Sequence, residues 1–489
     1  RRWIIGSGGL LLVLLAVWQI AAAAQGLTVT PGRYGAPPYT VIAPEGAATD
    51  PRPVVLIGHG FAGSSVVMRG FAFTLAHAGY PTVLWDFDGH GANPQPLPTE
   101  TRGNALLENA EAALAEAEAV GLVTPDAVAI LGHSMGSGVA IDYGKAHPET
   151  AATIAISPVD RDVTPTLPRN LLLMAGQLEP RFVSNAEQIL AQAGGAGGDP
   201  AAGTGRDLVV VPGVEHLSIL FSPTAHAVTR EWLDTTFGPQ PDARAYTDRR
   251  VLWYGLGVLG SLIAAVSLIP LALPDAPRAA PESERPLWHR AGALIGGAIG
   301  ATLLLWLAGR AGLRLSRLLG LLVGGYVILW FGVAGVLSSL LLRLQPTLPS
   351  RRALLGGLLA FAILWLGVGL LGQWVWQPWL LISQRLILWP LGAVLLLPWF
   401  LVAGATIQQA EALGRLGWWL AHSLVLVGGF FLALRLSPTL GFIMIILPMF
   451  PVILGFHAVA TASQRGHWPF ALSGALFVSW LLLVVFPLQ

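Results

Sequence analysis

The sequence predicts two architectures joined end to end: an α/β domain on a mostly parallel sheet with helices on both faces, and an all-α polytopic domain of membrane-length helices. Two observations predict this. Apolar residues make up 54% of the 489 and charged residues only 11%, where about a quarter is usual for soluble domains. The shortage is uneven, since residues 25–250 carry charge at ordinary density while 251–489 are almost unbroken apolar runs. In the first part short β-type runs alternate with helix-like segments, the pattern of a parallel sheet covered by helices.

The elements follow in order. Arg1 and Arg2 precede an apolar run over residues 3–24, long enough to cross a bilayer. Its end, A-A-A-A-Q-G, resembles a signal-peptidase site, and the paired arginines fit a twin-arginine signal; residues 1–24 are read as an uncleaved transmembrane anchor. Residues 27–238 form the α/β domain, with strands expected at 39–43, 53–57, 82–85, 127–131, 153–156, 171–175 and 208–211. Helices are expected at 65–78, 101–120, 134–147, 182–193 and 223–237. Glu111, Glu116 and Glu118 mark a solvated helix face, and 194–205, rich in Gly and Ala, reads as a flexible surface loop.

Residues 239–250 make a polar linker. Beyond it, eight spans are expected near 251–273, 291–308, 318–342, 353–372, 380–403, 416–434, 439–460 and 469–487, nine with the anchor. Several of the eighteen tryptophans fall near span ends, as interfacial belts do. With the N-terminus inside, the cytoplasmic segments hold Arg1, Arg2, Arg278, Arg285, Arg290, Arg343, Arg351, Arg352, Arg415 and Arg465. The outer segments hold Arg249, Arg250, Arg310, Arg314, Arg317 and Arg435. Ten against six by the positive-inside rule puts the α/β domain on the extracytoplasmic side of the cytoplasmic membrane.

A net charge of +1 gives no support to a nucleic-acid partner, and the absence of cysteine excludes disulfides and thiolate metal sites. Chemistry is carried by residues at the ends of the expected strands. Residues 127–138 read A-V-A-I-L-G-H-S-M-G-S-G: a strand enters G-x-S-x-G and a helix leaves it, the context of a nucleophile elbow at Ser134. Strand 53–57 runs into G-H-G-F at 58–61, and strand 82–85 into D-F-D-G-H-G-A-N at 86–93. Strand 171–175 ends in G-Q-L-E-P with Glu179, and strand 208–211 in P-G-V-E-H with His216.

With these pieces in order, residues 27–238 resemble the α/β-hydrolase superfamily, in particular its uncapped members of the dienelactone-hydrolase and cutinase-like type. The resemblance implies an α/β-hydrolase fold with Ser134 as nucleophile, His216 as general base and Glu179 as the acid that orients it. The order Ser, acid, His is that of the fold. It further implies an oxyanion hole from the backbone N–H groups of Phe61 and Met135. Where the family's motif has aspartate this chain has Glu179, so Asp160, after the preceding strand, stands as reserve acid. The 86–93 turn reads as structural, with Asp86 and His90 bonding backbone; a metal held by Asp86, Asp88 and His90 is the other reading, without further ligands in view. His59 and His133 read as backbone-packing neighbours, and His77, His147 and His226 as helix-surface residues.

Only residues 157–170 lie where many lipases of this superfamily insert a cap, too few for one. The site is expected to be open or covered by the chain's own membrane domain. Within 251–489, Arg385, His422 and His457 are the ionisable candidates for a polar path. Against that path, Arg385 and His457 are read as snorkelling near interfaces and His422 as bonding a neighbouring helix. Gly292, Gly296 and Gly300, and Gly320 with Gly324, suggest close helix packing. The function expected is a membrane-embedded serine hydrolase acting on a lipid-like or acylated ester through an acyl-enzyme, with no metal or organic cofactor and the lipid bilayer as partner. A non-catalytic accessory of a membrane transporter or complex, and an acyltransferase using the same acyl-enzyme, are the alternatives.

Overall fold

A strand buried on both faces of a parallel sheet must be apolar at every position, not every second one. The central strands obey this: β3 (Arg52–Gly58), β4 (Thr82–Trp85), β6 (Ala152–Ile156) and β7 (Leu171–Gly176) are buried almost throughout. With β1 (Leu27–Pro31), β2 (Tyr39–Pro44), β5 (Pro125–His133) and β8 (Arg206–Val211) they form one eight-stranded sheet in the order β1-β2-β4-β3-β5-β6-β7-β8. β1 and β2 join antiparallel, and every pairing from β4 to β8 is parallel. The computed structural model describes the chain apart from residues 33–36, 48–50, 100–101, 274–285, 346–347, 409 and 465. Arg278, Arg285 and Arg465 of the charge count therefore lie outside the described residues.

Helices α2 (Arg69–His77), α3 (Arg102–Ala119), α4 (Met135–Ala146), α5 (Pro180–Gln192) and α6 (Pro223–Phe237) connect and cover the strands. The expected helix 65–78 opens with a tighter 3-10 turn, Ser65–Met68, before α2. Strand β1 was not among the expected strands: it is an edge strand with only Leu27 buried, so it lacks the inward face that produces a period-two pattern. The glycine-rich 194–205 loop is more tied than its composition implies. Asp199 caps a short turn, Pro200–Ala202, and Asn170 Nδ2 donates to the Pro200 carbonyl at 2.8 Å.

The second half is helical: α7 (Arg250–Ala272), α8 (Leu287–Arg310), α9 (Gly324–Leu342), α10 (Arg351–Leu364), α11 (Ser383–Ile407), α12 (Ala412–Leu436), α13 (Ile443–Ile446), α14 (Met449–Ala460) and α15 (His467–Val485). Among the described residues, eight helices are long and apolar enough to cross a membrane, one of them α1 (Arg2–Ala22) before the sheet. The expected span at 439–460 is the exception. It is broken into α13 and α14 by Pro448, which has no N–H to give the helix ladder. α1 packs along α7 where two glycines meet: a Cβ on Gly9 would lie 2.6 Å from the Gly260 carbonyl oxygen, and the converse distance is also 2.6 Å. Of the spaced glycines named from sequence, Gly296 and Gly300 face Leu341 and Leu337 of α9, whereas Gly292 faces nothing.

Arg385 does not snorkel. It is 1% exposed, and its guanidinium donates to the carbonyls of Leu483 and Phe486 at the end of α15 and to Gly89 of the sheet half. The Leu483 and Phe486 carbonyls lie in the last turn of α15 and just past it, so a cation is well placed there. His457 is also buried, facing Ser473 Oγ at 2.9 Å, and His422 faces Thr406 Oγ1 of α11 at 2.8 Å. The chain's end closes against the sheet half as well: Leu488 N–H donates to the Gly89 carbonyl at 2.8 Å, and Leu97 N–H to the Leu488 carbonyl at 2.9 Å. The helical half thus abuts the loops at the carboxyl ends of β3 and β4.

Candidate active site

The turn from β5 into α4 is too tight for an ordinary residue path. Ser134 sits there at φ 53° and ψ −115°, a left-handed conformation that a non-glycine residue adopts only when its surroundings enforce it. The enforcement is visible. Ser134 N–H donates to the Ile156 carbonyl at 2.8 Å, and the backbones on either side touch so closely that only glycine fits. A Cβ on Gly132 would lie 1.9 Å from the Gly136 carbonyl oxygen, and one on Gly136 would lie 2.6 Å from that of Gly58.

Ser134 Oγ faces His216 Nε2 at 3.1 Å, and His216 Nδ1 faces Glu179 Oε2 at 2.8 Å. A carboxylate can only accept, so His216 carries its proton on Nδ1 and leaves Nε2 free to accept from the Ser134 hydroxyl. Glu179 is buried, at 6% exposed. Its Oε1 accepts from Ser157 Oγ at 2.6 Å and from Gly176 N–H at 2.5 Å, so the carboxylate is fixed before it meets the imidazole. Phe182 stacks on the His216 ring with centroids 4.3 Å apart. Asp160 is exposed; the structure brings Glu179 to His216 and leaves Asp160 at the surface. Ser157 and Phe182 were not singled out from sequence. Ser157 had one signal, its place directly after the apolar run 153–156 at the same sheet edge; Phe182 had none.

Met135 directly follows Ser134, and Phe61 follows Gly60, where an added Cβ would lie 3.2 Å from the Ser134 Cβ. Neither the Phe61 nor the Met135 backbone N–H finds an acceptor among the described residues, and Met135 opens α4, so the helix dipole adds to its N–H. Behind Phe61, His59 Nε2 accepts from Phe87 N–H at 3.1 Å, so its Nδ1–H donates to the Gly60 carbonyl at 2.8 Å. His133 donates through Nε2 to the His216 carbonyl at 2.9 Å. Burial pushes His59 below the ordinary histidine range against a smaller opposing pull from Asp86, and pushes His133 and His90 well below it. These rings are neutral scaffolding.

Asp86 also serves the backbone: Oδ1 accepts from Ser65 N–H at 2.7 Å and Oδ2 from Ala92 N–H at 2.8 Å. His90 Nδ1–H donates to the Asp88 carbonyl at 2.9 Å. With Asp86 facing backbone donors and His90 turned to a carbonyl, the turn is not arranged as a ligand cluster. His226, expected on a helix surface, is 2% exposed: it packs edge-on against Phe71, with Nε2 against the Leu220 carbonyl at 2.9 Å. Ala225 and Thr229 on the same stretch of α6 are buried too, so its inward face passes through position 226.

A strand–serine–helix elbow, an H-G loop at the neighbouring strand end and histidine and carboxylate at successive strand ends decide the fold. The sheet half has the α/β-hydrolase fold. Residues 49–193 match the family model of serine aminopeptidase, S33, a stretch that takes in Ser134 and Glu179 and ends before His216. Solved structures similar to the hydrolase half include monoglyceride lipase from Saccharomyces cerevisiae, 16% identical, covering 43% of this chain and 96% of that one, with a TM-score of 0.32. Dienelactone hydrolase from Anabaena variabilis is 19% identical, covering 43% of this chain and 95% of its own at a TM-score of 0.30. A hormone-sensitive lipase from a metagenome library is 18% identical, covering 46% and 95% at a TM-score of 0.33. No curated protein matches the chain.

The helical half reaches the site. Phe442, between α12 and α13, stacks on Phe61 with ring centroids 3.7 Å apart and 21° between planes. Gln377, between α10 and α11, donates through Nε2 to the Ala62 carbonyl at 2.8 Å. The helical half is thus in contact with the loop that follows β3.

Proposed function

We propose that the chain is a membrane-embedded serine hydrolase that cleaves a lipid-like or acylated ester through an acyl-enzyme. The observation that carries this reading is the unbroken row Ser134 Oγ–His216 Nε2 and His216 Nδ1–Glu179 Oε2, at 3.1 and 2.8 Å. Ser134 attacks the acyl carbonyl while His216 takes its proton; the alkoxide leaves with that proton, and water, activated by the same imidazole, releases the acid. Glu179 holds the imidazole in the required tautomer and balances its charge. The Phe61 and Met135 N–H groups bind the oxyanion, a term worth about 3–4 kcal/mol per donor. An ester is preferred over an amide because the uncapped hydrolases that the sequence resembles, of the dienelactone-hydrolase and cutinase-like type, cleave esters.

The apolar helices hold this domain at the extracytoplasmic face of the cytoplasmic membrane, with the N-terminus inside. The positive-inside count supports that side, and contact between the helical half and the strand ends supports a substrate arriving from lipid. The test is hydrolysis of p-nitrophenyl esters by the full chain in detergent. Wild type is expected to turn over butyrate and longer esters while Ser134→Ala does not. Equal rates for the two proteins would refute the reading.

A further inference from the structure

The turn at residues 372–377 is held by three hydrogen bonds to α2 and α7. Arg69 Nη1 donates to the Gln373 carbonyl at 3.3 Å, Arg250 Nη1 to the Trp374 carbonyl at 2.8 Å and Trp376 Nε1 to Tyr254 Oη at 2.9 Å. This places Gln377, 4% exposed, under the oxyanion loop with its Nε2 on the Ala62 carbonyl. Its Oε1 is buried with no partner among the described residues. A buried amide half left unpaired is costly, and a residue kept for packing alone would serve better as an apolar side chain of the same size.

Ala62 is where such a bond does most. Its φ is 61°, a left-handed value that costs energy for any residue with a Cβ, so the conformation needs holding from outside. The Ala62 carbonyl shares its peptide with the Gly63 N–H, which donates to the Gly60 carbonyl at 3.1 Å, and the Gly60–Phe61 peptide carries the Phe61 N–H. The Phe61 ring, in turn, is clamped by Phe442 from a second segment of the helical half. A donor that must sit about 2.7–3.1 Å from the forming oxyanion is therefore restrained by the other half of the chain.

We propose that Gln377 is a positioning residue for ester hydrolysis: its amide holds the Ala62 carbonyl, and through it the Phe61 N–H, where the oxyanion forms. The inference rests on the serine-hydrolase reading and adds that the helical half completes the site. It does not touch the His216–Glu179 pair, so proton transfer and its pH dependence stay as they are.

The experiment uses the full chain in detergent, with Gln377→Met, which keeps the volume and loses the donor, and Gln377→Asn, which keeps the amide but falls short of the carbonyl. Active sites are counted by endpoint titration with a fluorophosphonate, and p-nitrophenyl butyrate hydrolysis is expressed per titrated serine. Loss of a whole oxyanion donor costs about 10²–10³ in kcat, so misplacing one is expected to lower kcat per site by at least about tenfold in both variants. KM stays within about twofold and the pH midpoint of kcat/KM is unchanged, the pattern of a transition-state contact. The penalty of Gln377→Met is expected to shrink in an Ala62→Gly background, because glycine takes φ 61° without a clamp. Wild-type kcat per titrated serine, or a loss confined to the number of titratable sites or to KM, would overturn the proposal. A wild type that neither titrates nor hydrolyses would overturn it together with the serine-hydrolase reading, an outcome recognisable because the parent fails too.

Discussion

Gly136→Ala is a perturbation that adds one methyl group and removes no functional atom. The new Cβ would lie 2.6 Å from the Gly58 carbonyl oxygen and 2.7 Å from that of His59, where ordinary contact starts at 3.4 Å. One side must therefore retreat by about 0.8 Å, the difference between 3.4 and 2.6 Å, because close-packed interiors have no slack to absorb it. If the β3 loop yields, Phe61 moves with it; if α4 yields, Met135 does. Either way one oxyanion donor leaves the window of about 2.7–3.1 Å in which it acts. A misplacement near 1 Å costs roughly 10²-fold in rate, so kcat is expected to fall between about 10- and 100-fold with KM little changed. Overpacking also lowers stability by about 1–3 kcal/mol. The assay is ester hydrolysis per fluorophosphonate-titrated serine, beside a thermal melt. A lowered Tm with wild-type kcat per site would show that the glycine serves packing alone and refute the donor geometry.

Three further expectations follow from the same structure. Glu179→Gln replaces the acceptor facing His216 Nδ1 and is expected to cost about 10³–10⁴ in kcat, whereas Asp160→Asn stays within about twofold; the reverse ranking would transfer the acid role to Asp160. His59, His90 and His133 have folded pKa values below the ordinary 6.5 because they are buried. Below pH 6.5 the unfolded chain takes up protons that the folded one refuses, so their contribution is complete above that pH and is lost as pH falls toward the folded values. Each contributes a slope of at most about 1.4 kcal/mol per pH unit; Tm is expected to be lower at about pH 5.5 than at about pH 7.5, and a flat or rising Tm on acidification would contradict neutral scaffolding. Finally, the chain has no cysteine, so Val120→Cys, at a position 56% exposed on the hydrolase half, is a unique label site. A membrane-impermeant maleimide is expected to label it in intact cells, and labelling only after lysis would reverse the orientation.

What was legible in the sequence is what leaves a local trace. The central strands are nearly continuous apolar runs, so seven strands and the residues at their ends could be placed, with Ser134, Glu179 and His216 each at the edge where the structure gathers them. Strand β1 was missed because four of its five residues face outward or sit half-buried at the sheet edge. Hydropathy reports apolarity and not helical continuity, so the break at Pro448 was invisible in an unbroken apolar run. Arg385 was read by its charge alone; its partners are backbone carbonyls roughly a hundred and three hundred residues away, at Leu483, Phe486 and Gly89. The Gln377–Ala62 bond spans 315 residues and two architectures, and no spacing rule connects them. The acid position was ambiguous for a related reason: Glu179 and Asp160 both follow strands, and what separates them is burial, the bonds from Ser157 and Gly176 and the 2.8 Å approach of Glu179 to His216 Nδ1.

The most direct measurement is labelling of the purified full chain in detergent with a fluorophosphonate probe, with Ser134→Ala and His216→Ala beside wild type. Rapid labelling of wild type, lost in Ser134→Ala and strongly slowed in His216→Ala, is the result predicted for a serine activated by its histidine. A well-folded wild type that does not label, or labelling that survives in Ser134→Ala, would contradict it.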